Sequence, residues 1–463
     1  MICDAVPLPI LGCDHALRAC SAWEPSIAVA ANPGRPGEET IVVAFIASDI
    51  TSRPWRPSGR TNAGRLERSA GEMNGRSPPS PEGPSKRVSF AYGVRPGPGG
   101  PIRWSPGRAL APCENEEMVA AANASVAAGP DGVFYCAILL ETHPISVRFF
   151  RSAYVGEELV FNQIGAHLAF DGKPWIVVDN SKGPGRGTVY LTFTHKEPGG
   201  ACPLCQLTRS TDRGETWLPP VSLPYSLGAH TRMAIGPDSE VYVAGHTCSA
   251  SRCPDGTGFR VLKSTNAYTR EASFSEMCTP CPVSLGGEWT GVANGCPNGK
   301  NLGQIWIACD NSAGPFRGSL SLACSVDPPG ADPMDVMFAW NRGDGSAWTS
   351  PVRLNGDNAE AWQWFGTMSM APNGRIDVVW NESQNASCTT SQLMYAYRVA
   401  GKTSWSRPAT ITNSWTMGTG WHIGGYYHMV SDDAGADLAI ARVDKGPCGV
   451  GRNVYYLRIN ARP

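Results

Sequence analysis

The 463-residue sequence carries almost no net charge, since 39 Lys and Arg face 40 Asp and Glu. A balance of −1 leaves no field to draw in nucleic acid or an anionic membrane. Long apolar runs are missing as well. Thr40 to Ala47, among the longest, falls well short of the roughly 20 residues that a membrane helix needs. Sustained helical periodicity is absent, which argues against a helical or α/β fold. Met1-Ile2-Cys3-Asp4 offers no basic stretch, and Asp4 interrupts the short apolar run, so it does not read as an export leader. No histidine pattern joins the two C-x-x-C pairs, Cys202/Cys205 and Cys278/Cys281. They stand about 73 residues apart, against roughly 15 to 20 in a zinc ribbon. Neither a metal site nor a cofactor is expected.

Turn residues are abundant instead, with 52 Gly and 39 Pro. The most informative stretch is Ser210-Thr211-Asp212-Arg213-Gly214-Glu215-Thr216-Trp217. Ser210 and Asp212 suit a tight turn because their side chains accept hydrogen bonds from backbone N–H groups ahead of them. Gly214 permits positive φ. Thr216 and Trp217 complete the octapeptide, the indole entering the next strand as a wedge. These residues are expected to serve the fold. Weaker copies follow at Trp340 to Val352, Gly401 to Pro408, Ser264-Thr265-Asn266 and Arg103 to Pro106.

Two further repeats run alongside. Trp175-Ile176-Val177-Val178-Asp179-Asn180-Ser181 through Arg186-Gly187 matches Trp306-Ile307-Ala308-Cys309-Asp310-Asn311-Ser312 through Arg317-Gly318. Strand-turn-strand units centre on Gly129 to Gly132, Gly236 to Ser239, Ala371 to Gly374 and Asp432 to Gly435, as sheet hairpins require. Each unit predicts a four-stranded antiparallel sheet of about 50 to 75 residues, the size of a propeller blade once loops are allowed for. The reading is therefore an all-β propeller forming one domain over residues 1–463. Inner strands near residues 27, 124, 175, 231, 305, 366 and 428 give seven blades, with six as the alternative. A segment from the first 25 residues is expected to complete the last blade and close the ring.

Residues 50–87 break the pattern. From Arg53 to Arg87, eight basic residues stand against three acidic ones, with almost nothing apolar. Such a stretch cannot fold alone. It reads as a basic loop between the second and third strands of the first blade. Sixteen cysteines point to disulfide-pinned loops and to an extracellular or periplasmic location.

S-x-D-x-G-x-T-W resembles the Asp-box of sialidases and of the wider BNR-repeat family, and the resemblance spans most of the chain. It implies a propeller whose ligand site surrounds the axis, on the face opposite the Asp-boxes. Arg342-Gly343-Asp344 and the turns holding Arg186 and Arg317 belong on the Asp-box face. Catalytic members use three arginines for the substrate carboxylate, a Tyr–Glu pair, and an Asp as general acid. Here the first arginine motif is absent, and Glu24-Pro25-Ser26 stands on the corresponding strand. By position, Asp49 is the candidate acid, Tyr426 with Glu382 the nucleophile pair, and Arg232 the carboxylate ligand. His230, Lys173, Trp364, His422 and Tyr427 join Arg232 as candidate substrate-binding residues, since aromatic rings beside polar groups suit a sugar. Two functions fit: a hydrolase of sialidase type, or a non-catalytic propeller binding a glycan or glycoprotein. Neither involves nucleic acid or membrane insertion, and the chain is expected to be a monomer.

Overall fold

The computed structural model describes residues 6–7, 21–48, 86–110, 121–140, 145–168, 172–195, 204–225, 227–228, 230–247, 258–277, 281–289, 303–356, 361–383, 389–416, 426–446 and 449–461. Among them there is no helix. The strands form seven antiparallel sheets, the blades of a propeller. Their inner strands are Ser21–Ala31, Ala121–Ala128, Trp175–Val178, Arg232–Ile235, Trp306–Cys309, Trp362–Met370 and His428–Asp432. The seven-bladed reading therefore holds, and the six-bladed alternative does not. Blade 7 continues through Gly435–Gly446 and Gly449–Asn460, and its fourth strand is Val6–Pro7, paired antiparallel with Tyr455 and Tyr456. The N-terminal segment closes the ring, as expected.

Blades stack face to face, so their middle strands are buried on both sides. In Glu39–Ser48 of blade 1, Ile41, Val43 and Phe45 pack with Ala439, Ala441 and Tyr456 of blade 7. The alternating Val42 and Ala44 pack with Phe134, Cys136 and Ile138 of blade 2. This double burial explains why the apolar runs are continuous rather than alternating.

Tryptophans near the outer strands reach back to the preceding blade. Trp217 stacks on Phe149 at 4.2 Å between centroids, and Trp405 meets Phe338 edge-on at 4.8 Å. Trp104 meets Tyr456 at 5.1 Å, while Trp348 Nε1–H donates to the Met277 carbonyl at 3.2 Å. The Asn of each D-N-S turn adds a polar link, as Asn180 donates to the Ala128 carbonyl and Asn311 to that of Ile235. The seam between blades 7 and 1 carries charge. Arg95, fully buried, donates to both carboxylate oxygens of Asp437 at 2.7 and 2.9 Å and to Glu39 at 2.8 Å. Arg458 holds Asp432 through two 2.7 Å bonds.

The cysteines divide. Cys136, Cys205, Cys309 and Cys324 are free buried thiols, all pushed up by burial. Cys205 therefore forms no bond with Cys202; its strand turns it into the core, where it behaves as a small hydrophobe. Cys281 is disulfide-bonded, and its partner lies outside the described residues.

Candidate functional site

The Ser210–Trp217 turn connects the third and outer strands of blade 3, on the face away from the inner-strand starts. Ser210 Oγ accepts the Gly214 N–H at 2.7 Å and donates to Asp212, which accepts the Thr216 N–H at 2.9 Å and its hydroxyl. Gly214 has φ +88°. The Ser210, Asp212 and Thr216 side chains are thus spent on the turn, while Arg213 and Glu215 pair with Asp131 and Arg151 of blade 2. Arg186 donates to the carbonyls of Asn180 and Ser181, and Gly343 packs against Gly318 of the neighbouring turn, so neither belongs to a site.

The axis is different. Arg232, the first residue of its inner strand, is 4% exposed, with its guanidinium 3.8 Å from the Trp175 ring centroid, 4.7 Å from Trp306 and 5.3 Å from Tyr426. Burial pushes it down to about 10, partly countered by Tyr426, so it remains charged at neutral pH. Its N–H groups reach Gln304 Oε1 at 2.9 Å and the Thr231 carbonyl at 3.1 Å. Among the described residues no carboxylate pairs with it, and Nε has no acceptor. Gln304 must turn its oxygen toward a group that only donates, which leaves Nε2 unpaired, and the indole N–H of Trp306 is also unpaired.

His428 completes the cluster. Its Nδ1 accepts the Ile27 N–H at 3.1 Å, so Nε2 carries the proton. Burial, with Arg232 next, pushes it down to about 3, so the ring is neutral. Its ring lies 5.0 Å from Trp175 and 5.5 Å from Trp306. Arg232 Nε–H, Gln304 Nε2–H and the Trp306 indole N–H thus lack acceptors, with His428 beside the two indoles.

Nearby, Glu24 is buried with φ +51° in a bulge of its inner strand, and Lys173 stands 3.7 Å from it. Tyr426 donates its hydroxyl to the Ala124 carbonyl at 2.6 Å. Burial, then Glu24, holds it well above its ordinary value, against the pull of Arg232. The structure gathers Glu24, Lys173, Arg232, Gln304 and Tyr426 near one another.

Other candidates go elsewhere. The carboxylate acting on Tyr426 is Glu24; Glu382 lies on the second strand of blade 6, where Gln392 donates to it at 3.4 Å. Trp364 is fully buried in the core, and Tyr427, also fully buried, donates its hydroxyl toward Asn381 and Ala441. Both are packing residues, out of a sugar's reach. His230 is buried just before the Arg232 strand. Asp49, His422 and most of the basic loop lie outside the described residues. Trp175, Trp306 and His428 were missed as site residues. The signal was the paired tryptophan-led repeat, which marks two indoles at equivalent strand starts.

A cavity of about 1020 Å³ runs along the axis from this cluster. Trp175, Arg232, Trp306 and His428 line it at the strand starts, and Asn180, Lys182, Asn311 and Arg317 line it at the opposite, turn-side end.

No family model and no curated protein sequence matches the chain. Solved structures resemble it in fold. A Dyadobacter fermentans protein of unknown function is 13% identical, with 99% of both chains covered and a TM-score of 0.47. A Hadza microbial sialidase is 13% identical over 81% of this chain and 73% of its own, with a TM-score of 0.45. A lectin of Aleuria aurantia is 12% identical over 87% of this chain and 100% of its own, with a TM-score of 0.40. A streptococcal sialidase, an α-L-arabinofuranosidase, an α-L-arabinanase and a polysaccharide lyase are also among them.

Proposed function

We propose that this chain is a glycan-binding propeller, a single-domain monomer, that holds the acidic group of a saccharide at the axial cluster around Arg232. One observation carries the reading: among the described residues the buried Arg232 has no carboxylate partner, and its Nε–H and the N–H groups of Gln304 and Trp306 lack acceptors. Buried donors are normally satisfied, and an unpaired buried charge is costly, so the arrangement is built to receive an anion. The flat rings of Trp175 and Trp306 suit the C–H face of a sugar. The resemblance of its turn motif to that of sialidases supports a saccharide as the bearer of the acid. Sixteen cysteines and the bonded Cys281 support an oxidising compartment.

Binding is favoured over hydrolysis by Tyr426. A nucleophilic phenol needs a lowered pKa or a base that takes its proton, whereas Tyr426 is pushed up and its proton is committed to a backbone carbonyl. The test is calorimetric titration with sialic-acid and uronic-acid saccharides and their neutral counterparts, alongside an aryl sialoside hydrolysis assay. Acidic sugars are expected to bind, and Arg232→Met to lower their affinity at least tenfold while the fold is retained by circular dichroism. Equal binding of neutral sugars, unaffected by Arg232→Met, overturns the reading. Hydrolysis abolished by Tyr426→Phe would establish the enzyme instead.

A further inference from the structure

The axial cavity has three zones. Its turn-side mouth is polar and exposed, with Lys182 unpaired among the described residues and Arg317 3.7 Å from Asp238. A collar of half-buried apolar side chains follows: Val29, Val177, Ile235, Ala308, Met370 and Val430, each from a different blade. The floor holds Arg232 and Trp306, whose Nε–H and indole N–H lack acceptors, together with His428. The six collar side chains themselves carry no hydrogen-bonding atom, with Ser369 and Ser431 lining the cavity beside them.

We infer that the ligand enters from the turn side, opposite the face where a sialidase-like site is expected, and is an acidic sugar bearing a slim apolar aglycone. Its carboxylate lies on Arg232 and its apolar stem runs through the collar toward the mouth. This rests on the proposed role of Arg232 as the anion ligand, and adds the route and the second half of the molecule. A carboxylate alone would leave the collar filled with water against apolar walls, where burying a stem is favourable. A neutral sugar would leave the Arg232 charge unpaired. Lys182 at the mouth adds an attractive charge on the entry path.

Octyl β-glucuronide, free glucuronate and octyl β-glucoside separate the contributions, because the first carries both carboxylate and stem, on the two carbons that flank the ring oxygen, and each of the others lacks one of them. Calorimetry on the full chain is expected to rank octyl glucuronide at least tenfold tighter than glucuronate, with octyl glucoside weaker still, at concentrations below micelle formation. Ala308→Phe, which narrows the collar, should erase the octyl advantage, octyl glucuronide then binding no tighter than glucuronate. Where Ala308→Phe fails to fold, Lys182→Glu on the exposed mouth serves instead. It should slow octyl glucuronide association several-fold at low salt, with the difference collapsing at high salt. Glucuronate binding that needs Arg232, with no gain from the octyl group and no effect of either variant, overturns this inference and leaves the proposed function standing. Failure of all three probes, with Arg232→Met silent, removes both.

Discussion

Asp212 shows how one side chain earns its place without chemistry. It accepts bonds from the Ser210 hydroxyl, the Thr216 N–H and the Thr216 hydroxyl, and through them holds Trp217 against Phe149. Asp212→Ala is expected to lower unfolding free energy by about 1–3 kcal/mol in urea melts, the cost of leaving such groups unpaired. A variant as stable as the parent would show that the turn holds itself by backbone alone. This motif was readable because each residue type has one mechanical use. The aromatic candidates were not. Trp364 faces the core because the inner strand of blade 6 shifts register between Trp364 and Thr367, with Phe365 at φ +56°. A bulge inverts the side-chain parity of a strand, and nothing in the composition of Trp362 to Met370 announces it. Equivalent shifts at Trp23/Ser26 and Ala122/Ser125 set Glu24 and Asn123 at positive φ.

Turns and strands gave up more of their roles. The Trp-bearing copies near residues 104, 217, 348 and 405 all reach the preceding blade, so a repeat visible as spelling is also a repeat of contact. Arg342-Gly343-Asp344 illustrates the converse. Gly343 has φ +82°, its N–H is held by the Asn341 side chain at 2.7 Å, and an added Cβ would collide with the Gly318 carbonyl oxygen. Gly343→Ala should therefore cost more than about 1 kcal/mol in chemical denaturation, exceeding the gain normally seen when glycine is replaced at a compatible site. Unchanged stability would mean the two turns part freely. The D-N-S turns look like ligand loops because they concentrate Asn, Ser and Arg. Their hydrogen bonds run instead to neighbouring backbone, and only their outer surfaces border the cavity.

Blade number and ring closure followed from counting hairpins, since every blade needs the same short turns. The axial cluster followed only in part, because its members come from strands far apart in sequence and are brought together by closure itself. That closure is electrostatic at one seam. Burial alone would raise the Asp432 pKa, but the Arg458 bonds and charge, the Ala434 N–H and Arg95 outweigh it and hold it below its ordinary value. A carboxyl depressed on folding adds stability above its unfolded pKa of about 3.9, and that stability fades as pH falls toward the folded value. Melting temperature is thus expected to drop below about pH 4.5, and Asp432→Asn to flatten part of that drop. An identical acid profile in the variant would place the sensitivity elsewhere.

Val6 and Tyr456 are partners in one sheet although nearly the whole chain separates them. During synthesis the Val6–Pro7 strand must wait, unpaired, until the Gly449–Asn460 strand has emerged from the ribosome. Until then the final sheet keeps a bare edge, a template for strands of other molecules. Completion of the circle is the step at which a newly made chain is most exposed to aggregation, and also the step that brings the charged seam and the axial donors into register.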